Sequence, residues 1–128
     1  MSRRRHRTVV QPGEACRRAL RPGGRLLIAN LASFNTAAMQ LGWVPMPDGE
    51  LRFCFDDYLD ERAAWVAWRG IRVRNWHRPL GAYMSRLLEQ GMILTHFSEP
   101  EPTGGEPDRR QRYRRAPWFL IMEWGKPL

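Results

Sequence analysis

His77, one of three histidines, is a side chain whose type suits proton transfer, since imidazole is the usual general base near neutral pH. It stands two residues before Pro79. It can therefore serve as a base, or it can donate a hydrogen bond to a turn carbonyl, and no acidic partner at a fixed spacing selects between the two. Around it lies an aromatic-rich stretch from Asn30 to His77, with Trp43, Tyr58, Trp65, Trp68 and Trp76. Such rings can wall an apolar slot around a small organic molecule, or they can pack as core. Asn30 and Asn75 are polar residues at the ends of apolar runs, where they can line the same pocket. The candidate substrate-binding set is thus Asn30, Tyr58, Trp68, Asn75, Trp76 and His77, and no residue is assigned as catalytic, cofactor-binding or metal-ligating.

Other chemistries lack their patterns. No Ser-His-Asp or Cys-His arrangement has a nucleophile turn, and no HxxxH or carboxylate cluster suggests a metal. Cys16 and Cys54 stand alone, without CxxC spacing, and read as two reduced thiols. The net charge of +8 invites a polyanion partner, but the excess is scattered over Arg3 to Arg7, Arg17 to Arg25 and Arg109 to Arg115, and Asp48 to Glu61 is acidic. Lys126 is the one lysine among 21 basic residues. That bias toward arginine fits a solvated surface better than a phosphate-binding one, so nucleic acid is not the expected partner.

The elements that must position these residues follow from periodicity. Residues 1–13 carry basic charge without an apolar period and read as a disordered arm, leaving 14–128 as one folded unit. Glu14 to Leu20 reads as a short helix stopped at Pro22-Gly23-Gly24, and Arg25 to Leu31 as a strand covered on both faces. Ser33 is placed to cap a helix carrying Phe34, Ala37 and Ala38, with Gly42 as its stop. Glu50 to Phe55 alternates as a half-buried strand. Leu59, Ala63, Val66 and Ala67 then form a helical stripe ended by Gly70, and Ile71 to Trp76 a further strand. Pro79 opens the clearest helix, with Leu80, Tyr83, Met84, Leu87 and Leu88 on one face and Gly91 as its stop. Met92 to Phe97 and Trp118 to Trp124 are the last strands, able to pair across the charged, Pro/Gly-rich loop Ser98 to Ala116.

Two segments carry a family resemblance. EACRRALRPGGRLLIANL (Glu14 to Leu31) and NWHRPLGAYMSRLLEQGMILTHFSEPEP (Asn75 to Pro102), followed by RRAPWFLIMEW (Arg114 to Trp124), resemble the second half of a class I S-adenosylmethionine-dependent methyltransferase domain. The resemblance spans Glu14 to Lys126. It implies an α/β fold: a partial Rossmann-like sheet of strands five, six and seven, flanking helices, and an insertion after strand five that covers the acceptor. It implies S-adenosylmethionine as cofactor and a small-molecule acceptor as substrate. The family holds its cofactor on a glycine-rich loop after strand one, and this sequence contains no GxGxG. The 13 residues before Glu14 do not encode four strands of about five or six residues each with their helices. The expectation is a truncated form, inactive alone and not binding the cofactor by itself, which needs a missing N-terminal half or self-associates through an exposed sheet edge. A basic nucleic-acid-binding module and a non-catalytic, partner-dependent interaction protein are the rival readings. Neither a membrane span nor a secretory leader is legible, since Gln11 to Glu14 follow the basic start, so the expected setting is cytoplasmic with no membrane partner.

Overall fold

A computed structural model of the chain describes residues 12–39 and 41–128. Most of the basic arm, residues 1–11, lies outside the described residues. Its last two residues, Pro12 and Gly13, already belong to the first helix.

That helix, α1 (Pro12–Ala19), begins on proline, whose missing N–H costs nothing in a first turn. Glu14 and Arg18 pair one turn apart at 2.6 Å. The helix ends as the PGG turn demands. Gly23 takes φ +77°, a left-handed conformation open to glycine, and its N–H reaches the Lys126 carbonyl at 2.9 Å. Lys126 also donates from Nζ to the carbonyls of Arg17 and Leu20 at 2.9 and 2.7 Å, satisfying acceptors that the helix end leaves open.

The main sheet consists of β1 (Arg25–Leu31), β6 (Ile93–Ser98) and β7 (Phe119–Gly125), in the order β1-β7-β6. The last strand enters antiparallel between the other two, with Leu26 opposite Trp124 and Ile28 opposite Met122. Helix α3 (Leu80–Glu89) and α1 pack on one face. There Leu87, Met92, Leu120, Met122 and Trp124 form the buried core, supported by Leu26, Ile28, Tyr83 and Met84. At roughly 1.5 to 3 kcal/mol per buried side chain, those five contribute about 7 to 15 kcal/mol gross before chain entropy is set against it. Leu88, expected on the packed side of α3, is 57% exposed instead.

Among the described residues, nothing covers the second face of this sheet. Leu27 is 66% exposed, Ile93 55% and Phe119 48%, so β1 is not covered on both faces as its unbroken apolar run predicts. The run is the composition of a doubly covered strand, and only one covering layer is present among the described residues.

The insertion between β1 and α3 differs from its sequence reading in two places. Helix α2 (Ser33–Ala37) is capped from Ala32 without a side-chain bond, and Ser33 lies inside it, buried, with no hydrogen-bond partner for its hydroxyl. Strands β2 (Gly42–Pro45) and β3 (Leu51–Cys54) then form a hairpin, of which β3 lies within the strand expected over Glu50 to Phe55. Beyond it, the segment read as a helix from Leu59 to Ala67 is the strand β4 (Arg62–Trp68), paired with β5 (Ile71–His77). The reason is the turn. Arg69 and Gly70 take φ +48° and +77°, the pair of left-handed residues that joins two strands in a two-residue hairpin, and Gly70 is its second position rather than a helix stop. Trp65, Val66 and Trp68 also favour a strand. Finally, the charged loop before β7 contains α4 (Pro107–Arg115), which has no buried residue.

Candidate functional site

In an α/β sheet, ligands gather at the C-terminal ends of the parallel strands, where loops rather than ladder bonds meet solvent. Here that end is Asn30 to Ala32, closed by the Ala32 N–H donating to the Trp118 carbonyl at 2.8 Å. A cavity of about 220 Å³ opens beside it, walled by Leu31, Asn35, Trp43, Phe53, Tyr113 and Trp118. Its aromatic walls are fixed edge to face. Trp43 meets Phe53 at 5.4 Å between ring centres, and Tyr113 meets Trp118 at 4.9 Å. Asn35 donates from its amide to the carbonyls of Pro117 and Trp118 at 2.7 and 3.2 Å, which ties α2 to the start of β7. Tyr113 and Trp118 also border a second, mainly apolar hollow of about 380 Å³ with Pro100, Pro102 and Phe119.

A hydrogen-bond network holds the insertion over this end. His77 is fully buried, with Nε2 2.7 Å from the Tyr58 carbonyl and Nδ1 2.7 Å from the Thr36 hydroxyl. A carbonyl only accepts, so Nε2 carries the proton and Nδ1 is left to accept from Thr36. Both ring nitrogens are consumed, and the turn-carbonyl role is the one the geometry shows. Arg62 acts alongside, donating to the carbonyls of Asp57 at 2.7 Å and of Ala37 and Asp60 at 3.0 Å. Its guanidinium staples the 56–60 loop to the end of α2. Sequence reasoning did not single out Arg62, because its targets are backbone carbonyls that only the folded chain brings together.

The other sequence candidates scatter around this network. Tyr58 packs its ring on His77 and accepts the Leu80 N–H at 3.1 Å, so these two residues are neighbours. Asn30 donates to the Tyr83 hydroxyl at 3.2 Å and accepts the Leu31 N–H, so it fastens β1 to α3. Asn75 lies opposite Ala64 in the β4–β5 ladder, half-buried, on the same side as His77. Trp76 lies on the other side, and Trp68 stands at the far tip of the hairpin; both are about half exposed. The aromatic cavity is therefore built from Trp43 together with Phe53, Tyr113 and Trp118, which the sequence candidates omit. The one local hint is that Trp118 precedes an apolar strand immediately after Ala116-Pro117.

The donor set does not fit an adenosyl cofactor. Among the described residues that ring the end of β1, no glycine-rich turn offers successive backbone N–H groups and no carboxylate stands ready for a ribose. Cys16 and Cys54 are free thiols, and no cluster of metal-binding side chains occurs among the described residues.

No family model and no curated protein matches the chain. Solved structures do. A protein from Listeria monocytogenes assigned as an S-adenosylmethionine-dependent methyltransferase superposes with a TM-score of 0.78 at 22% identity, covering 92% of this chain and 56% of its own. An S-adenosylmethionine-dependent methyltransferase from Mesorhizobium loti superposes with a TM-score of 0.70 at 25% identity, covering 84% of this chain and 51% of its own. The chain thus spans about half the length of the structures it matches. With a sheet ordered β1-β7-β6, helices on one face and an insertion above the strand end, it has the fold of a partial S-adenosylmethionine-dependent methyltransferase domain.

Proposed function

We propose that this chain is the acceptor-side half of a methyltransferase that moves a methyl group from S-adenosylmethionine to a small molecule, and that it acts only when a cofactor-binding half completes its sheet. The bare face of β1 and β7 carries the reading. Leu27 and Phe119 expose apolar surface where a doubly wound fold places a second helical layer, and β1 has a strand partner on one side among the described residues. The completed domain would bring the cofactor to the end of β1, and the insertion, held by His77 and Arg62, would roof the acceptor. Trp43, Phe53, Tyr113 and Trp118 suit a flat, largely apolar acceptor, since ring edges and faces offer area with few polar demands. Asn30, Tyr58, Asn75 and His77 then set the shape of the site, with Tyr58 and His77 fixing its roof.

Titration of S-adenosylmethionine into the chain alone, and into the chain mixed with the polypeptide encoded immediately upstream, tests this reading. Heat of binding only in the mixture supports it. Micromolar binding by the chain alone would refute the need for a second half, and no binding in either sample would remove the methyltransferase reading. A second arrangement has one specific observation behind it: the free edge and bare face of β1 can instead be covered by another copy. A stable dimer in light scattering, unchanged by the upstream polypeptide, would favour it.

A further inference from the structure

The β4–β5 hairpin projects a surface that the methyl-transfer reading does not use. Its base is anchored by Arg62 and His77, and its two seven-residue strands reach about 20 Å from there at roughly 3.3 Å per residue. From Arg62 to His77 the sequence holds four arginines and three tryptophans and no carboxylate. The strand register sorts them. Trp65 lies opposite Arg74, so Trp65, Arg72, Arg74 and Trp76 share one face, while Trp68 and Ile71 share the other beside the Arg69-Gly70 turn. Trp65 is 60% exposed and Trp76 49% on the first face; Trp68 and Ile71 are each 51% exposed on the second. The guanidinium of Arg72 sits 4.5 Å from the Trp65 ring and that of Arg74 4.8 Å from Trp76. Among the described residues, none of Arg69, Arg72 and Arg74 pairs with a carboxylate.

We infer that this hairpin inserts its tip into the headgroup region of an anionic lipid bilayer. Charge complementarity calls for an anionic partner, because the hairpin carries only positive side-chain charge and like charge disfavours a second copy on the same face. The two-sided exposure selects the kind of partner. A nucleic acid or an acidic protein lying on the Trp65 face leaves Trp68 and Ile71 in water, whereas a surrounding phase covers both faces at once. Tryptophan and arginine, each with an apolar body and a polar end, suit that interface. The contact is peripheral: no helix among the described residues is long and apolar enough to cross a membrane. It also departs from the sequence expectation of no membrane partner, because a helix through Ala63 and Val66 does not place these aromatics at an exposed tip.

Co-sedimentation of the full chain with vesicles of mixed phosphatidylcholine and phosphatidylserine tests the inference, with phosphatidylcholine vesicles as the reference. Expected are binding to the anionic vesicles, a blue shift of tryptophan emission, and partition about tenfold weaker for Trp68→Ser combined with Ile71→Ser, which leaves the charge unchanged. Far-ultraviolet circular dichroism of the exposed-tip variant confirms that it folds. Equal binding by wild type and variant would show simple attraction by basic residues and overturn the inference. So would no binding at low ionic strength, or capture of single-stranded poly(U) with no vesicle binding.

Discussion

Replacing His77 by phenylalanine separates a structural pin from a catalytic base. Phenylalanine keeps most of the ring volume in a fully buried position but removes the donor to the Tyr58 carbonyl and the acceptor from Thr36. In this variant the Thr36 hydroxyl turns its one proton to the Ser33 carbonyl 3.0 Å away, so it still has a partner. The Tyr58 carbonyl does not, and an orphaned, partly buried acceptor costs about 1 to 3 kcal/mol, with about 1 kcal/mol more for the second lost bond. His77→Phe should therefore lower the unfolding free energy by about 2 to 4 kcal/mol in urea titrations followed by tryptophan fluorescence. Thr36→Val should cost about 1 to 3 kcal/mol, because it leaves Nδ1 buried without a donor. The double variant should cost little more than His77→Phe alone, giving a coupling of about 1 to 2 kcal/mol. A loss below about 0.5 kcal/mol for His77→Phe, or strict additivity of the two changes, refutes the network. Methyl transfer that collapses in the completed enzyme while the urea midpoint stays fixed would return His77 to the role of base.

Two further outcomes follow from the sheet. Leu27→Lys falls on a side chain that is 66% exposed, so the unfolding free energy of the chain should change by less than about 0.5 kcal/mol while self-association falls in light scattering; a larger destabilisation would mean that the face is covered after all. Glu123 should make the sheet sensitive to acid. The Thr95 hydroxyl at 2.8 Å and then the Arg25 guanidinium at 2.6 Å hold its carboxyl below the usual carboxylate range, against an opposing effect of desolvation. A depressed folded-state value means that its contribution is present above the unfolded-state pKa and is lost as pH falls through the folded-state one. Thermal melts of wild type and Glu123→Gln should therefore differ at neutral pH and converge in acid; a constant difference refutes the assignment.

The sequence by itself determined much of the frame. The stripe from Leu80 to Leu87 behaves as its periodicity requires, because it buries one apolar set against one neighbour, and Arg25–Leu31 is the expected strand, though one of its faces stays exposed among the described residues. Gly23 marks its turn for a reason internal to the residue, whereas Pro12, read as part of the arm, turned out to open the first helix. The segment from Leu59 to Ala67 shows where local pattern stops being sufficient. Leu59, Ala63 and Val66 fit a helical period, and the hairpin prevails because the Arg69-Gly70 turn pairs seven residues with seven, a cooperative gain that no single window contains. The site divides in the same way. Aromatic richness was legible in the composition, but tertiary structure decided that Trp118 joins Trp43 and Phe53 while Trp68 stands alone at a tip. Only folding sets the His77 ring between Thr36 and Tyr58, or Arg62 among four carbonyls, because the partners are backbone atoms and hydroxyls far apart along the chain. Hydrogen bonds of that kind depend on position in space, and residue type alone does not specify it.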